Sequence, residues 1–197
     1  MSTDARWSTG PILTDLIARV RAASEADECG PEQIRDLLSE ALSRDDDWLD
    51  KQYQSRDGEP GGKLYPLFRA EDRRCSMLVA VFEPGVPAPV HNHGSWAVVG
   101  VYSGRERETW FRRLDDGDSP GRAELKVDQT WINTPGTVTV VPDGTIHTVE
   151  AIDGRDAVSI HIYGTDIVTQ ERSTFNVAEG TEEPFCPSFS KPELEQK

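Results

Sequence analysis

The sequence predicts an all-β domain, a barrel or sandwich, standing behind a short helical prefix. Three observations carry that expectation. Beyond Lys63 the chain breaks into short apolar runs at 77–82, 96–102, 108–111, 137–141 and 158–163, with Gly, Pro and Asp between them. Short strands punctuated by turn residues are the pattern of barrels and sandwiches. Ahead of Lys63 the apolar residues recur with a helical period instead, and at 197 residues the chain has room for one substantial core rather than two.

In the prefix, Ile12, Leu16, Ile17 and Val20 fall on one face of a helix that starts at Pro11, where proline fits the first turn. After Cys29 and Gly30, a second helix begins at Pro31 and runs through Ile34, Leu37, Leu38 and Leu42. Residues 45–47 and 54–62, rich in Asp, Gly and Pro, read as loop. The two helices are expected to cover the barrel and bury Leu16, Ile17, Leu37 and Leu38. The expected division is a prefix over 1–60, a barrel over 61–176 and a tail over 177–197. The tail shows no periodicity and is expected to be loosely held at its end.

Lys and Arg total 21 against 35 for Asp and Glu, a formal charge of -14. Such a balance opposes encounter with nucleic acid or an anionic membrane, so neither is expected as a partner. No apolar run reaches the length of a bilayer span, and residues 1–10 lack the basic start and apolar centre of a signal peptide, which predicts a cytoplasmic protein. Cys29, Cys75 and Cys186 are scattered and odd in number, so neither a disulfide framework nor a thiolate zinc site is expected.

The chemistry concentrates in residues 85–147, which hold three of the four histidines. His91 and His93, two apart, share one face of a strand because strand side chains alternate. His147 from a distant strand would complete a metal site, neutral imidazole being a common ligand of first-row transition metals. Gly85 and Gly144 stand in turn contexts where a positive φ is useful, and Pro142 fixes the chain ahead of His147.

Gly85, His91, His93 and Gly104 together have the spacing of the first motif of the cupin superfamily, with Ala97 where that motif carries glutamate. Gly136, Pro142, Asp143, Gly144 and His147 resemble its second motif, with Ala151 in place of the usual asparagine. The resemblance implies a double-stranded β-helix, the jelly-roll barrel, with the metal on His91, His93 and His147. Without the glutamate, three neutral imidazoles leave a divalent ion with its full charge, which favours an anionic substrate.

Ser159, His161 and Tyr163 alternate along one strand and so share a face, where they are expected to hydrogen-bond one another. Beside the cupin motifs this run resembles the outer triad of the thiol dioxygenases, the family of cysteine dioxygenase and 3-mercaptopropionate dioxygenase. That resemblance implies iron(II) on the three histidines, a small thiol carboxylic acid as substrate, and dioxygen added to its sulfur. Tyr163 would present its phenol near iron and substrate, held by His161 and Ser159. Arg172 matches the position from which the mercaptopropionate branch takes its carboxylate-binding arginine, and Arg69 matches the position used by the cysteine branch. Trp96 is a candidate wall of the pocket. Residues 94–100 lack the cysteine that crosslinks to tyrosine in animal cysteine dioxygenases, so no crosslink to Tyr163 is expected. Other readings remain open on sequence: a cupin enzyme of another reaction type, such as a dicarbonyl dioxygenase, hydrolase or isomerase, or a cupin that binds a small ligand without turnover.

Overall fold

The computed structural model describes residues 10–26, 30–44 and 47–185. Cys29, Cys186 and the end of the tail lie outside them, while Cys75 is buried as a thiol.

Two helices come first, α1 (Pro11–Glu25) and α2 (Pro31–Leu42), each opened by proline. Leu13, Leu16, Val20, Ile34 and Leu38 are their buried stripe, with Ile17 and Leu37 partly buried beside it. A 3₁₀ turn at Lys51–Tyr53 leads into eleven strands. These are β1 (Gly62–Arg69), β2 (Ser76–Phe82), β3 (Val90–His91), β4 (Ala97–Ser103), β5 (Glu106–Arg113), β6 (Leu125–Asn133), β7 (Val138–Val141), β8 (Ile146–Ala151), β9 (Ala157–Tyr163), β10 (Arg172–Asn176) and β11 (Thr181–Phe185). No helix among the described residues is long and apolar enough to cross a membrane.

The strands form two sheets, β1-β2-β9-β4-β7 and β11-β10-β3-β8-β5-β6, with antiparallel neighbours throughout. Between them lies an inner cluster of Leu78, Ala80, Ala97, Val99, Val141, Tyr163 and Ile167, against which Trp110 of the opposite sheet packs. This is the expected cupin-type β-barrel behind a helical prefix. The helices cover the outer face of the five-stranded sheet, where Met77, Val79, Val98, Val158, Ile160 and Ile162 meet Leu16, Ile34 and Leu38. A Cβ on Gly100 of β4 would stand 2.5 Å from Leu42 and 2.7 Å from Leu38. Gly100 is therefore what lets α2 lie directly on the sheet.

The five apolar runs all become strands, each extended by a residue or more at one end or both, or trimmed by one. Thr181–Phe185, within the segment read without periodicity, forms β11 by pairing with β10. β6 lay in a charged stretch with no alternating signal, because most of its side chains face solvent. Gly85 and Gly144 adopt φ of 76° and 78°, the left-handed turns their positions called for.

Candidate metal centre and its hydrogen-bonded relay

Strand register brings the histidines together. His91 on β3 pairs directly with His147 on β8, and His93 follows two residues later as the chain leaves β3. Nε2 of His93 lies 3.2 Å from Nε2 of His91 and 3.1 Å from Nε2 of His147. His93 and His147 are buried, and His91 is half-buried.

The outer nitrogens explain why the inner ones converge. Nδ1 of His91 lies 2.8 Å from the Pro89 carbonyl, which can only accept, so Nδ1 carries the hydrogen. Nδ1 of His147 lies 3.1 Å from Oε1 of Glu108, an acceptor of the same kind when ionised. In a neutral ring both arrangements leave the Nε2 lone pairs turned toward one shared point. Burial, followed by the electrostatic influence of the neighbouring His147, holds His91 and His93 well below the ordinary histidine range, so both rings are neutral. The His91 and His147 lone pairs meet Nε2 of His93 at that point, while the buried Nδ1 of His93 has no hydrogen-bond partner among the described residues; this three-imidazole set fits a first-row divalent metal.

Glu108 reaches the centre from β5. Burial pushes its carboxyl up, but bonds from His147, from Trp110 Nε1 at 2.7 Å and from Asn133 Nδ2 at 2.9 Å outweigh that and hold it below the ordinary value. A carboxylate behind a ligating histidine fixes its ring and tautomer. Ala97, where the cupin motif carries glutamate, is buried opposite Tyr163 in the β4–β9 register. Among the described residues the cluster holds histidines alone.

The second constellation stands on β9. Its odd-numbered residues turn into the barrel, while Val158, Ile160 and Ile162 turn toward the helices. Ser159 Oγ lies 2.9 Å from His161 Nε2, and His161 Nδ1 lies 3.1 Å from Tyr163 Oη. The Tyr163 ring stands at 85° to that of His93, centroids 5.1 Å apart, which joins this relay to the histidine cluster. Burial, and after it the charge at His147, lowers His161 to about 3. Burial pushes the Tyr163 phenol up to about 12, with Arg172 acting in the opposite sense.

Arg172 opens β10, two residues before the Thr174 that pairs with His91. Its positive charge is felt at His91, His93 and Tyr163, and its guanidinium lies 4.8 Å from the centre of the Phe185 ring. Asn92, Gly94, Gln170, Arg172 and Phe185 contribute to a recess of ≈ 600 Å³ that none of the three histidines lines. Arg69 is engaged elsewhere, with both Nε and Nη2 donating to Oδ2 of the buried Asp166. Asp166 in turn accepts from Thr169 Oγ1 at 2.8 Å and caps the turn that leads to Arg172. Trp96 packs with the helix-side cluster and lies against Gly164, on the outer side of the sheet rather than at the recess.

Sequence reasoning missed Glu106, Glu108, Trp110 and Asn133. A signal existed, since Glu106, Glu108 and Trp110 recur every second residue.

No protein-family profile matches the chain. Among solved structures, an oxalate oxidase bound to the substrate analogue glycolate aligns at 18% identity and a TM-score of 0.44, over 57% of this chain and 56% of that one. A cupin superfamily protein from Desulfitobacterium hafniense aligns at 18% and 0.40, over 53% and 78%. An oxalate decarboxylase from Bacillus subtilis, described with Mn(II) centres, aligns at 24% and 0.44, over 58% and 29%. These structural neighbours are cupins. This chain spans just over half the length of the oxalate oxidase.

Proposed function

We propose that this chain is a non-heme iron(II) thiol dioxygenase that oxidises a small thiol carboxylic acid, 3-mercaptopropionate-like or cysteine-like, to its sulfinic acid. The observation that carries the reading is the junction of the two constellations, Tyr163 at the end of the Ser159–His161 chain and packed on His93. His91, His93 and His147 are the ligands, and bound iron(II) would supply an open coordination sphere and a redox centre at which thiolate and dioxygen meet. Both oxygen atoms end on sulfur, so RSH and O₂ give RSO₂H and no further reductant is consumed.

The chain's own residues bind and orient. Arg172 offers a planar fork to the substrate carboxylate, and its charge, felt at His91, suits an anionic thiol carboxylate. On this reading the Tyr163 hydroxyl meets the substrate or dioxygen, with its hydrogen-bonding direction governed by His161. Leu78, Ala80 and Val99 line the barrel interior and keep water from the reacting face. Three neutral imidazoles with no carboxylate favour a substrate that brings its own negative charge.

Protein purified without oxygen and loaded with iron should consume dioxygen when given 3-mercaptopropionate, cysteine or a related thiol, with sulfinate appearing in equal amount. Silence across a broad thiol panel, with iron shown to be bound, would overturn the proposal.

A further inference from the structure

β9 ends at Tyr163 and β10 opens at Arg172, and residues 164–171 between them contain neither helix nor strand. The two ends of this connector are tied down by different means.

Near its start stands Asp166, 1% exposed. Its Oδ1 accepts from Val168 N at 3.3 Å, and its Oδ2 accepts from Thr169 Oγ1 at 2.8 Å and from Arg69 Nε at 2.7 Å. Arg69 Nη2 donates to the same oxygen. The Asp166 carbonyl accepts from Thr169 N at 3.0 Å and Gln170 N at 3.1 Å, and Asp166 N donates to the Arg73 carbonyl at 2.8 Å. Ser76 Oγ donates to the Thr165 carbonyl at 2.7 Å and accepts from Ile167 N at 3.1 Å. The anchors Arg69, Arg73 and Ser76 belong to β1, to the turn after it and to β2. A buried carboxylate with both oxygens engaged and a cation beside it holds its surroundings in one arrangement.

At the far end, the two chain neighbours of Arg172 meet the two chain neighbours of His93. Ser173 N donates to Asn92 Oδ1 at 2.9 Å, and Asn92 N donates to the Ser173 carbonyl at 3.2 Å. A Cβ on Gly94 would stand 2.7 Å from the Glu171 carbonyl oxygen, so only glycine admits this approach. β3 gives β10 just His91 and Val90 as pairing partners. A ladder that short leaves the first residue of β10 to be held from the connector.

We infer that Arg69 and Asp166 are positioning residues for substrate recognition, fixing the connector so that Arg172 presents its guanidinium to a carboxylate bound beside His93; this rests on the thiol carboxylate reading above. The pair acts through Arg172 and takes no part in binding itself. Displacing a recognition group by about 1 Å costs up to about 100-fold. The isosteric Asp166→Asn is enough to cause it, since both oxygens already accept and an amide nitrogen in either place sets donor against donor.

The test is calorimetric binding of 3-mercaptopropionate and of ethanethiol, which lacks the carboxylate, to zinc-loaded full-length protein. Asp166→Asn and Arg69→Lys, which keeps the charge and loses the second donor, should each weaken 3-mercaptopropionate by about 10-fold and leave ethanethiol unchanged. In an Arg172→Ala background neither should cause further loss, because all act through one group. Equal weakening of both thiols, or full additivity with Arg172→Ala, overturns the inference. If native protein binds neither thiol, the substrate reading fails, and the positioning is judged by NMR of the Arg172 Nε–H, identified by its loss in Arg172→Lys. That buried group should exchange with water at least tenfold faster in both variants while the amides of β2 and β9 keep their native rates. Native exchange at Arg172 in the folded variants overturns the inference. Should Asp166→Asn fail to fold, Arg69→Lys decides it.

Discussion

His147 Nδ1 and Glu108 Oε1 are 3.1 Å apart, and both side chains are buried. The contact turns a strand residue into an oriented ligand, and it makes β5 part of the metal centre although β5 carries no ligand. Glu108→Gln should therefore lower metal affinity by about 10- to 100-fold, the usual consequence of losing a carboxylate behind a ligating histidine. Competitive titration with a chromophoric chelator measures it. Unchanged affinity in a folded variant would reduce Glu108 to a packing role.

Tyr163→Phe removes one oxygen and keeps the ring that packs on His93. Metal content should stay at the native level while oxygen uptake falls at least tenfold, since under the proposed function it is the hydroxyl that meets substrate or dioxygen. Losing the bond to His161 should cost about 1 kcal/mol of stability. Metal analysis, oxygen uptake and chemical denaturation of the one variant separate the two effects.

Arg172→Ala should raise KM for a thiol carboxylate by about 10- to 100-fold, the worth of a charge-assisted bidentate contact, and leave a thiol lacking the carboxylate unaffected. The ratio of the two substrates is the readout. Equal loss for both would place Arg172 outside substrate recognition.

Arg69→Ala strands Asp166 as a buried carboxylate without its cation. A loss of about 3 kcal/mol in denaturant unfolding is expected, because breaking a buried pair exposes the cost of desolvating the partner left behind. Arg69→Ala with Asp166→Asn should recover part of that loss.

Glu106 and Glu108 bend the pH dependence of stability in opposite senses. The Glu106 carboxyl is raised from 4.5 to about 7, so the folded state holds a proton that the unfolded state has already released. Its contribution is present at low pH and is lost as pH rises through about 7, by roughly 3 kcal/mol in full. Glu108 is lowered, so its contribution is present above the ordinary carboxylate value and is lost as pH falls through its folded pKa. Denaturation at pH 5 and pH 8 should show the native protein losing stability relative to Glu106→Gln on the alkaline side.

The histidine cluster was legible because His91 and His93 are two apart and histidine is scarce, and the hydrogen-bonded run because Ser159, His161 and Tyr163 stand out against an apolar strand. Glu106 and Glu108 were not, for a physical reason. Arg105 and Arg107 alternate with them, and period-two alternation between acid and base says which residues share a face without saying which face is inward. Only the pairing of β5 with β8 decides that. β6 was hidden because its solvent-facing side chains give no apolar alternation. Arg69 and Arg172 both stood as candidates in sequence, because the buried Asp166 that engages Arg69 lies almost a hundred residues away from it.

β9 is flanked by β2 and β4 and shows the helices one file of side chains and the barrel interior another. Its two files are locked in antiphase. Substitutions within Val158, Ile160 and Ile162 can be absorbed by repacking under the helices, but a one-residue insertion or deletion exchanges the files beyond it. Serine, histidine and tyrosine would then meet the helices, and valine and isoleucine would face the metal. The evolutionary signature of this strand should accordingly be variation in side-chain size on one face with a fixed length, whatever substrate a descendant of this chain comes to use.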